Sequence, residues 1–180
     1  MERAFRNNSI KKVVFLSLLL SIALTIFIIE SQIPPIVPIQ GVKLGLANII
    51  TLIVIIFWGL KEATIIVLLR VILGSIFTGQ VVSLLYSLSG GLLAVVIMGI
   101  IYKLISIKSI EIISICGAIA HNIRQIIVAM ILINNKAILI YLPILMVSSI
   151  ITGYFIGKIV KYTYKKLIKS PLFNEECIFR

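Results

Sequence analysis

The stretch SICGAIAHNIRQIIVAMIL, residues 114–132, decides the fold class of this chain. Its length and apolar content are those of a membrane span, since a helix needs about 20 mostly apolar residues to cross a bilayer. Within five positions it nevertheless carries His121, Asn122, Arg124 and Gln125. Polar groups inside a membrane as a rule face a protein interior or a cavity. The stretch therefore predicts a membrane helix with a polar face that points into a bundle.

Composition extends this prediction to the whole chain of 180 residues. Hydrophobic residues make up 61% of the sequence and the mean hydropathy is +1.21, whereas soluble domains are roughly 45–50% apolar. A soluble fold of this size has no place to bury such an excess. We therefore predict an all-α integral membrane protein that crosses the cell membrane several times.

Six apolar runs are candidate transmembrane helices, at 13–33, 44–60, 63–78, 81–102, 112–132 and 138–157. The breaks between them are short; the first, QIPPIVPIQGVK (32–43), is rich in Pro and Gly and predicts a loop, and the second is Lys61-Glu62. The sequence thus predicts a basic cytoplasmic N-terminus over 1–12, a six-helix membrane domain over 13–160 and a basic cytoplasmic tail over 161–180.

The distribution of positive charge predicts the orientation of these spans. The chain has 17 Lys and Arg residues and a formal net charge of +11. With both termini inside, Lys43 and Lys136 fall outside, Arg70 and Arg124 fall within spans, and all the others are cytoplasmic. Positive residues collect on the cytoplasmic side of membrane proteins, so this bias favours an N-in, C-in topology. The basic tail is then a contact for anionic membrane lipid or for a partner.

Polar residues collect in the outer half of this predicted bundle. Arg70 and Arg124 each lie eight residues from the outer end of their spans, a depth of roughly 12 Å. On a helical wheel with about 100° per residue, Gln125 and Arg124 lie within about 60° of His121, and isoleucines cover the opposite side of the helix. The candidate substrate-binding residues are Glu30, Lys43, Asn48, Arg70, His121, Asn122, Arg124 and Gln125. They predict either a cavity for a small anionic or polar ligand taken from the outer side, or hydrogen bonds that hold helices together.

Two features leave alternatives open at this point. Arg70 could form a structural ion pair with Glu30 rather than meet a ligand. Ser17, Ser21 and Thr25 follow one another at four-residue spacing in span one and form a stripe of small side chains. Such a stripe allows close helix packing, either within the bundle or against a separate membrane subunit.

The chemistry that the sequence lacks limits the function further. All six acidic residues are Glu, and there is a single His. No G-x-x-x-x-G-K-[ST] loop for nucleotide phosphates occurs, and no nucleophile stands beside a base. We therefore predict no catalytic residues, no metal site and no cofactor, so the chain is not expected to be an enzyme.

Several segments together resemble one family. They are Glu30 followed by Pro34-Pro35, GVKLGLAN (41–48), Arg70, SLSGG (87–91) followed by Met98, and GAIAHNIRQ (117–125). This combination resembles the Gx transporter family, whose members carry the name heptaprenyl diphosphate synthase component I and are similar to the S components of energy-coupling factor transporters. The resemblance implies a six-helix substrate-binding subunit that associates with a transmembrane coupling protein and cytoplasmic ATPase subunits. Where this chain has Arg124, the family pattern more often has Gly.

Two other functions remain open. Trans-prenyl diphosphate synthases hold Mg²⁺ with Asp-rich motifs, which this chain lacks; a non-catalytic, accessory membrane component of heptaprenyl diphosphate synthesis is still compatible with the sequence. The other function is a secondary transporter coupled to ions through Glu30 or His121, which can both titrate.

Overall fold

A computed structural model describes residues 2–33, 43, 45–79, 81–105 and 109–169, with side chains from residue 10 onward apart from 81–82. Most of the predicted loop at 32–43, with Pro34 and Pro35, lies outside the described residues, as does the tail from residue 170. The described residues form helices and contain no strand. The prediction of an all-α fold is confirmed.

The described residues form six α-helices, with one 3-10 segment before the last. They are α1 (Glu2–Gln32), α2 (Asn48–Trp58), α3 (Leu60–Thr78), α4 (Val81–Ile105), α5 (Ile110–Ile133), the 3-10 segment Lys136–Tyr141 and α6 (Leu142–Ile168).

Four of these regions are long and apolar enough to cross a membrane: Ile10–Gln32, Ser83–Ile105, Ile110–Ile133 and Lys136–Ile168. Helix α2 has 11 residues, about 16 Å of helix, against a hydrocarbon core about 30 Å thick. Helix α3 has 19 residues but carries Lys61, Glu62 and Arg70. The chain is thus a helical membrane protein, and crossing by all six helices stays a prediction.

The second predicted span and the break after it have different bounds in the structure. Helix α2 begins at Asn48 rather than at residue 44, because a turn at Gly45, whose φ is +79°, precedes it. Helices α2 and α3 are separated by Gly59 alone, with a φ of +95°, a backbone conformation that glycine adopts without steric cost. The predicted break at Lys61-Glu62 is wrong, since both residues lie in the first turn of α3.

Helix α2 forms the centre of the bundle. Nine of its side chains are buried, and it packs against α1, α3, α4, α5 and α6. Glycines bring the outer helices close to one another: a Cβ added at Gly153 of α6 would lie 2.7 Å from Cα of Ile115 in α5. The large apolar side chains that remain exposed on α1 and α6 form the surface expected of helices that face lipid.

Basic residues mark one end of this bundle. Lys12 of α1 pairs with Glu62 of α3, and Lys161 of α6 pairs with Glu111 of α5. These pairs bring the start of α1, the α2–α3 junction, the start of α5 and the end of α6 to the same end. The turn at Gly45 and the end of α1 lie at the other.

Candidate functional site

A buried polar cluster lies at the end of the bundle opposite the basic residues. We define it by six side chains, all of them less than 9% exposed: Glu30, Lys43, Asn48, Arg70, His121 and Gln125. Helices α1, α2, α3 and α5 and the segment before α2 contribute to it. Six of the eight candidate substrate-binding residues are therefore brought together by the structure.

The carboxylate of Glu30, near the end of α1, forms hydrogen bonds with the segment before α2. Its Oε1 accepts hydrogen bonds from the backbone N–H groups of Gly45 and Leu46, the latter at 3.2 Å. The two ion pairs found among the described side chains involve neither Glu30 nor Arg70. The ion pair considered between these residues therefore does not form, and Glu30 neutralises Arg70 only at longer range.

The backbone of Lys43 is hydrogen-bonded to Gln125, whereas its side-chain ammonium has no hydrogen-bond acceptor. Oε1 of Gln125 accepts from the Lys43 backbone N–H at 3.3 Å, and Nε2 of Gln125 donates to the Lys43 carbonyl at 3.0 Å. The Lys43 Nζ lies 3.4 Å from the centroid of the Phe27 ring, over its face, and has no hydrogen-bond partner. Burial lowers the pKa of Lys43 to about 8, and this residue lies between α1 and α2, outside any predicted span.

Arg70 of α3 is the second buried cation with unused donors. It is 3% exposed, and its Nε and Nη1 have no hydrogen-bond partner. Both side-chain atoms of Asn48 also lack a partner. Gly91 of α4 lies beside the guanidinium: a Cβ there would be in ordinary contact with Arg70 Nη2, at 3.5 Å, and would crowd Val67 Cγ1, at 2.9 Å.

His121 lies between Gly90 of α4 and Gly45 in the segment before α2. Oε1 of Gln125 accepts from its Nε2 at 3.1 Å. A Cβ at Gly90 of α4 would lie 2.9 Å from its Nδ1, and a Cβ at Gly45 would lie 3.1 Å from its Cδ2. The glycines allow α4 and the segment before α2 to close tightly around the imidazole, which excludes bulk water from this part of the cluster.

Asn122 lies at the edge of the cluster, and Arg124 lies outside it. Asn122 donates to Ser149 Oγ at 2.7 Å and to the Leu145 carbonyl at 3.4 Å, so it joins α5 to α6, and its Oδ1 accepts from Nε2 of Gln125 at 3.3 Å. Arg124 is exposed on the surface of the bundle, contrary to the expectation that all four polar groups of this stretch face inward. The position of Arg124 about 60° from His121 falls at the edge of the buried face, where no helix covers it.

Further hydroxyl groups near this end were not among the sequence candidates. Thr51 of α2 and Ser83 and Ser87 of α4 are buried, and their hydroxyls have no hydrogen-bond partner. The sequence contained a signal for two of them. Ser83 and Ser87 share one face of α4 with Gly90 and Gly91, which lie against the cluster.

Ser17, Ser21 and Thr25 lie outside the cluster, exposed on α1. Ser21 and Thr25 each donate to the carbonyl four residues earlier, at 3.0 Å. Since their hydroxyls are already paired within the helix, the stripe presents a flat surface of small side chains.

No three His, Cys, Asp or Glu side chains within the described part of the chain come together as a metal site would need. The cluster contains one carboxylate, Glu30, and that group already accepts two backbone hydrogen bonds. The chemistry available is therefore the binding of a ligand by cationic and neutral donors.

A family model described as heptaprenyl diphosphate synthase component I matches residues 19–163 of the chain. The match covers α2 to α5 completely, the second half of α1 from residue 19 and most of α6. No curated protein and no solved structure matches.

Proposed function

This chain belongs to the heptaprenyl diphosphate synthase component I family, and we propose that it is a non-catalytic membrane subunit that binds an anionic ligand in the buried polar cluster. One observation carries the proposal: two buried cations, Arg70 and Lys43, have nitrogen donors with no partner. An unpaired buried donor costs about 1–3 kcal/mol, and more when it is charged. A ligand that supplies oxygen acceptors would remove this cost.

Charge favours an anionic ligand. Arg70 and Lys43 carry two positive charges against the single carboxylate of Glu30, and the three groups interact electrostatically. A guanidinium binds carboxylate and phosphate oxygens through two parallel hydrogen bonds. Asn48, which has an unused donor and an unused acceptor, would orient the rest of the ligand.

The family name supports a role beside a catalytic synthase component. Trans-prenyl diphosphate synthases hold Mg²⁺ against the diphosphate with the carboxylates of Asp-rich motifs, and this chain contains no Asp. We therefore propose an accessory subunit whose partner performs the condensation. The diphosphate group is then the first ligand to test, since its oxygens suit both cations.

A second candidate function is supported by the location of the cluster. It lies at the end of the bundle opposite the Lys12–Glu62 and Lys161–Glu111 pairs. If the basic end is cytoplasmic, the cluster faces outward, as a subunit that captures substrate for uptake requires. The exposed stripe Ser17, Ser21 and Thr25 would then be a surface for a transmembrane coupling protein, which cytoplasmic ATPase subunits would energise.

Binding from one side of the membrane tests both functions. Sealed vesicles of each orientation would be titrated with radiolabelled inorganic diphosphate, with Arg70→Gln as the control for binding at the cluster. Binding that depends on Arg70 and needs the cytoplasmic side exposed supports the accessory subunit, whereas binding from the outer side supports uptake. If neither orientation nor detergent-solubilised protein binds diphosphate, native mass spectrometry of the purified chain should still find a co-purifying anion. Its absence would refute the ligand-binding proposal.

A further inference from the structure

Arg124 is a charged residue on the outer surface of a helix that can cross the membrane. Helix α5 is one of the four regions long and apolar enough to do so. Arg124 lies nine residues before its last residue and 14 after its first, which is about 13 Å and about 21 Å along the axis. A hydrocarbon core about 30 Å thick includes both neighbouring turns, so the Cα of Arg124 lies deep in the apolar layer.

The described part of the bundle offers this guanidinium no acceptor. None of the hydrogen bonds and ion pairs between described residues involves Arg124, and its side chain is exposed. Side chains on a helix lean toward its N-terminus. Arg124 therefore leans away from the nearer end of α5, and extension of its side chain to that membrane surface is disfavoured.

The surface next to Arg124 is apolar. One turn further along α5, Ile127 and Val128 are half-buried, and two turns further Ile131 is 69% exposed. Arginines at this depth as a rule face the protein interior or pair with another group. The described interior of this bundle contains His121 and Gln125 but not Arg124, so a group on another molecule is needed to pair with it.

We infer that Arg124 marks a docking surface for a transmembrane helix of a partner protein that carries a carboxylate at the same depth. The planar fork of a guanidinium matches a carboxylate through two hydrogen bonds, and the apolar strip beside it would pack against the rest of that helix. This surface is separate from the buried polar cluster, so the inference does not depend on the ligand.

A second copy of this chain does not supply a suitable carboxylate for this docking surface. Among the described side chains, Glu30 is buried and bonded to the segment before α2. Glu62 and Glu111 are paired with Lys12 and Lys161 at the basic end of the bundle. The remaining acidic residues, Glu2, Glu175 and Glu176, are at the chain termini. A partner with its own intramembrane carboxylate fits better.

The experiment uses synthetic helices as the partner. The full chain, labelled with a donor fluorophore, would be reconstituted in vesicles of zwitterionic lipid with an acceptor-labelled Leu/Ala helix that carries Glu or Leu at its centre. Energy transfer measures association. We expect the Glu helix to associate at least ten-fold more tightly than the Leu helix, Arg124→Leu to abolish that preference, and Arg124→Lys to keep part of it. Lys136→Leu, which removes a basic residue outside α5, should leave the preference unchanged.

Several results would overturn the inference. Equal association of the two helices with the wild type would exclude carboxylate recognition, and a preference that survives in Arg124→Leu would place it elsewhere. Energy transfer between copies of the chain that depends on Arg124 in the absence of any helix would make a second copy the occupant. Helical content and inorganic diphosphate binding of Arg124→Leu show whether the variant is folded; if it is not, the comparison of Arg124→Lys with the wild type decides.

Discussion

Replacement of Arg70 by Gln separates a ligand-binding arginine from one that only holds helices together. Gln keeps a polar group of moderate size but removes the charge and the fork of donors. In the structure Nε and Nη1 of Arg70 are both unused and buried. Each contact between a charged donor and an anion contributes about 1.5–3 kcal/mol. At 1.4 kcal/mol per decade, loss of one such contact weakens binding by roughly ten- to a hundred-fold.

Replacement of Arg70 by Gln should weaken ligand binding but should not lower the stability of the ligand-free fold. A buried charge without a partner is destabilising, and Glu30 keeps its two backbone hydrogen bonds and its attraction to Lys43 when Arg70 is replaced. We therefore expect Arg70→Gln to unfold at the wild-type temperature or above it in the absence of ligand. An architectural arginine would instead lower the unfolding temperature.

The assay combines thermal unfolding with a binding titration in lipid nanodiscs. The fluorescence of Trp58, the single tryptophan, follows unfolding from the end of α2 that faces away from the cluster. Equilibrium dialysis with radiolabelled inorganic diphosphate gives the affinity. Arg124→Gln is the matched control, because it removes the same side chain from the exposed surface of α5 and should bind like the wild type. Wild-type affinity in Arg70→Gln, or a marked loss of stability without ligand, would refute the reasoning.

Because burial lowers the pKa of Lys43 to about 8, its ammonium form is lost above pH 8, and diphosphate affinity should fall about ten-fold from pH 7 to pH 9. Lys43→Met should remove that part of the pH dependence in the dialysis assay. If the variant kept the pH dependence of the wild type, Lys43 would not contact the ligand. Asn122→Ala should lower thermal stability, by about 1–3 kcal/mol, without a change in affinity, since Asn122 bonds to α6; a loss of affinity would place it at the ligand. Gly153→Ala should separate α5 from α6, because its Cβ would lie 2.7 Å from backbone, at a cost of about 1–3 kcal/mol in the unfolding assay; wild-type stability would argue against that close crossing. In a cysteine-free background, Cys at position 136 should react with an impermeant reagent on intact cells and Cys at position 61 should not; the reverse pattern would invert the proposed topology.

Much of the architecture could be predicted because the hydropathy of consecutive residues can be read directly from the sequence. Long apolar runs bury their backbone polar groups in helices wherever they lie, so helices α4 and α5 lie within three residues of the predicted bounds. Helix α1 begins 11 residues before its predicted start and helix α6 ends 11 residues after its predicted end, because both helices continue into the basic segments that flank the apolar runs. The α2–α3 boundary was missed, because a pair of charges at Lys61-Glu62 marks a helix end less reliably than the left-handed conformation of Gly59, and φ is a property of the folded backbone.

The candidate site shows where sequence stops and tertiary structure begins. The sequence alone determined that polar groups are embedded in apolar helices, because their number and spacing can be read directly. It could not decide which of them face inward. Gln125 and Arg124 lie at similar angles from His121, about 40° and about 60° on opposite sides, yet Gln125 is fully buried and Arg124 exposed. That difference is set by where the neighbouring helices lie, and for Glu30 by the distant backbone N–H groups of Gly45 and Leu46 that reach its carboxylate. Such contacts join residues far apart in the chain, so only the packed bundle specifies them.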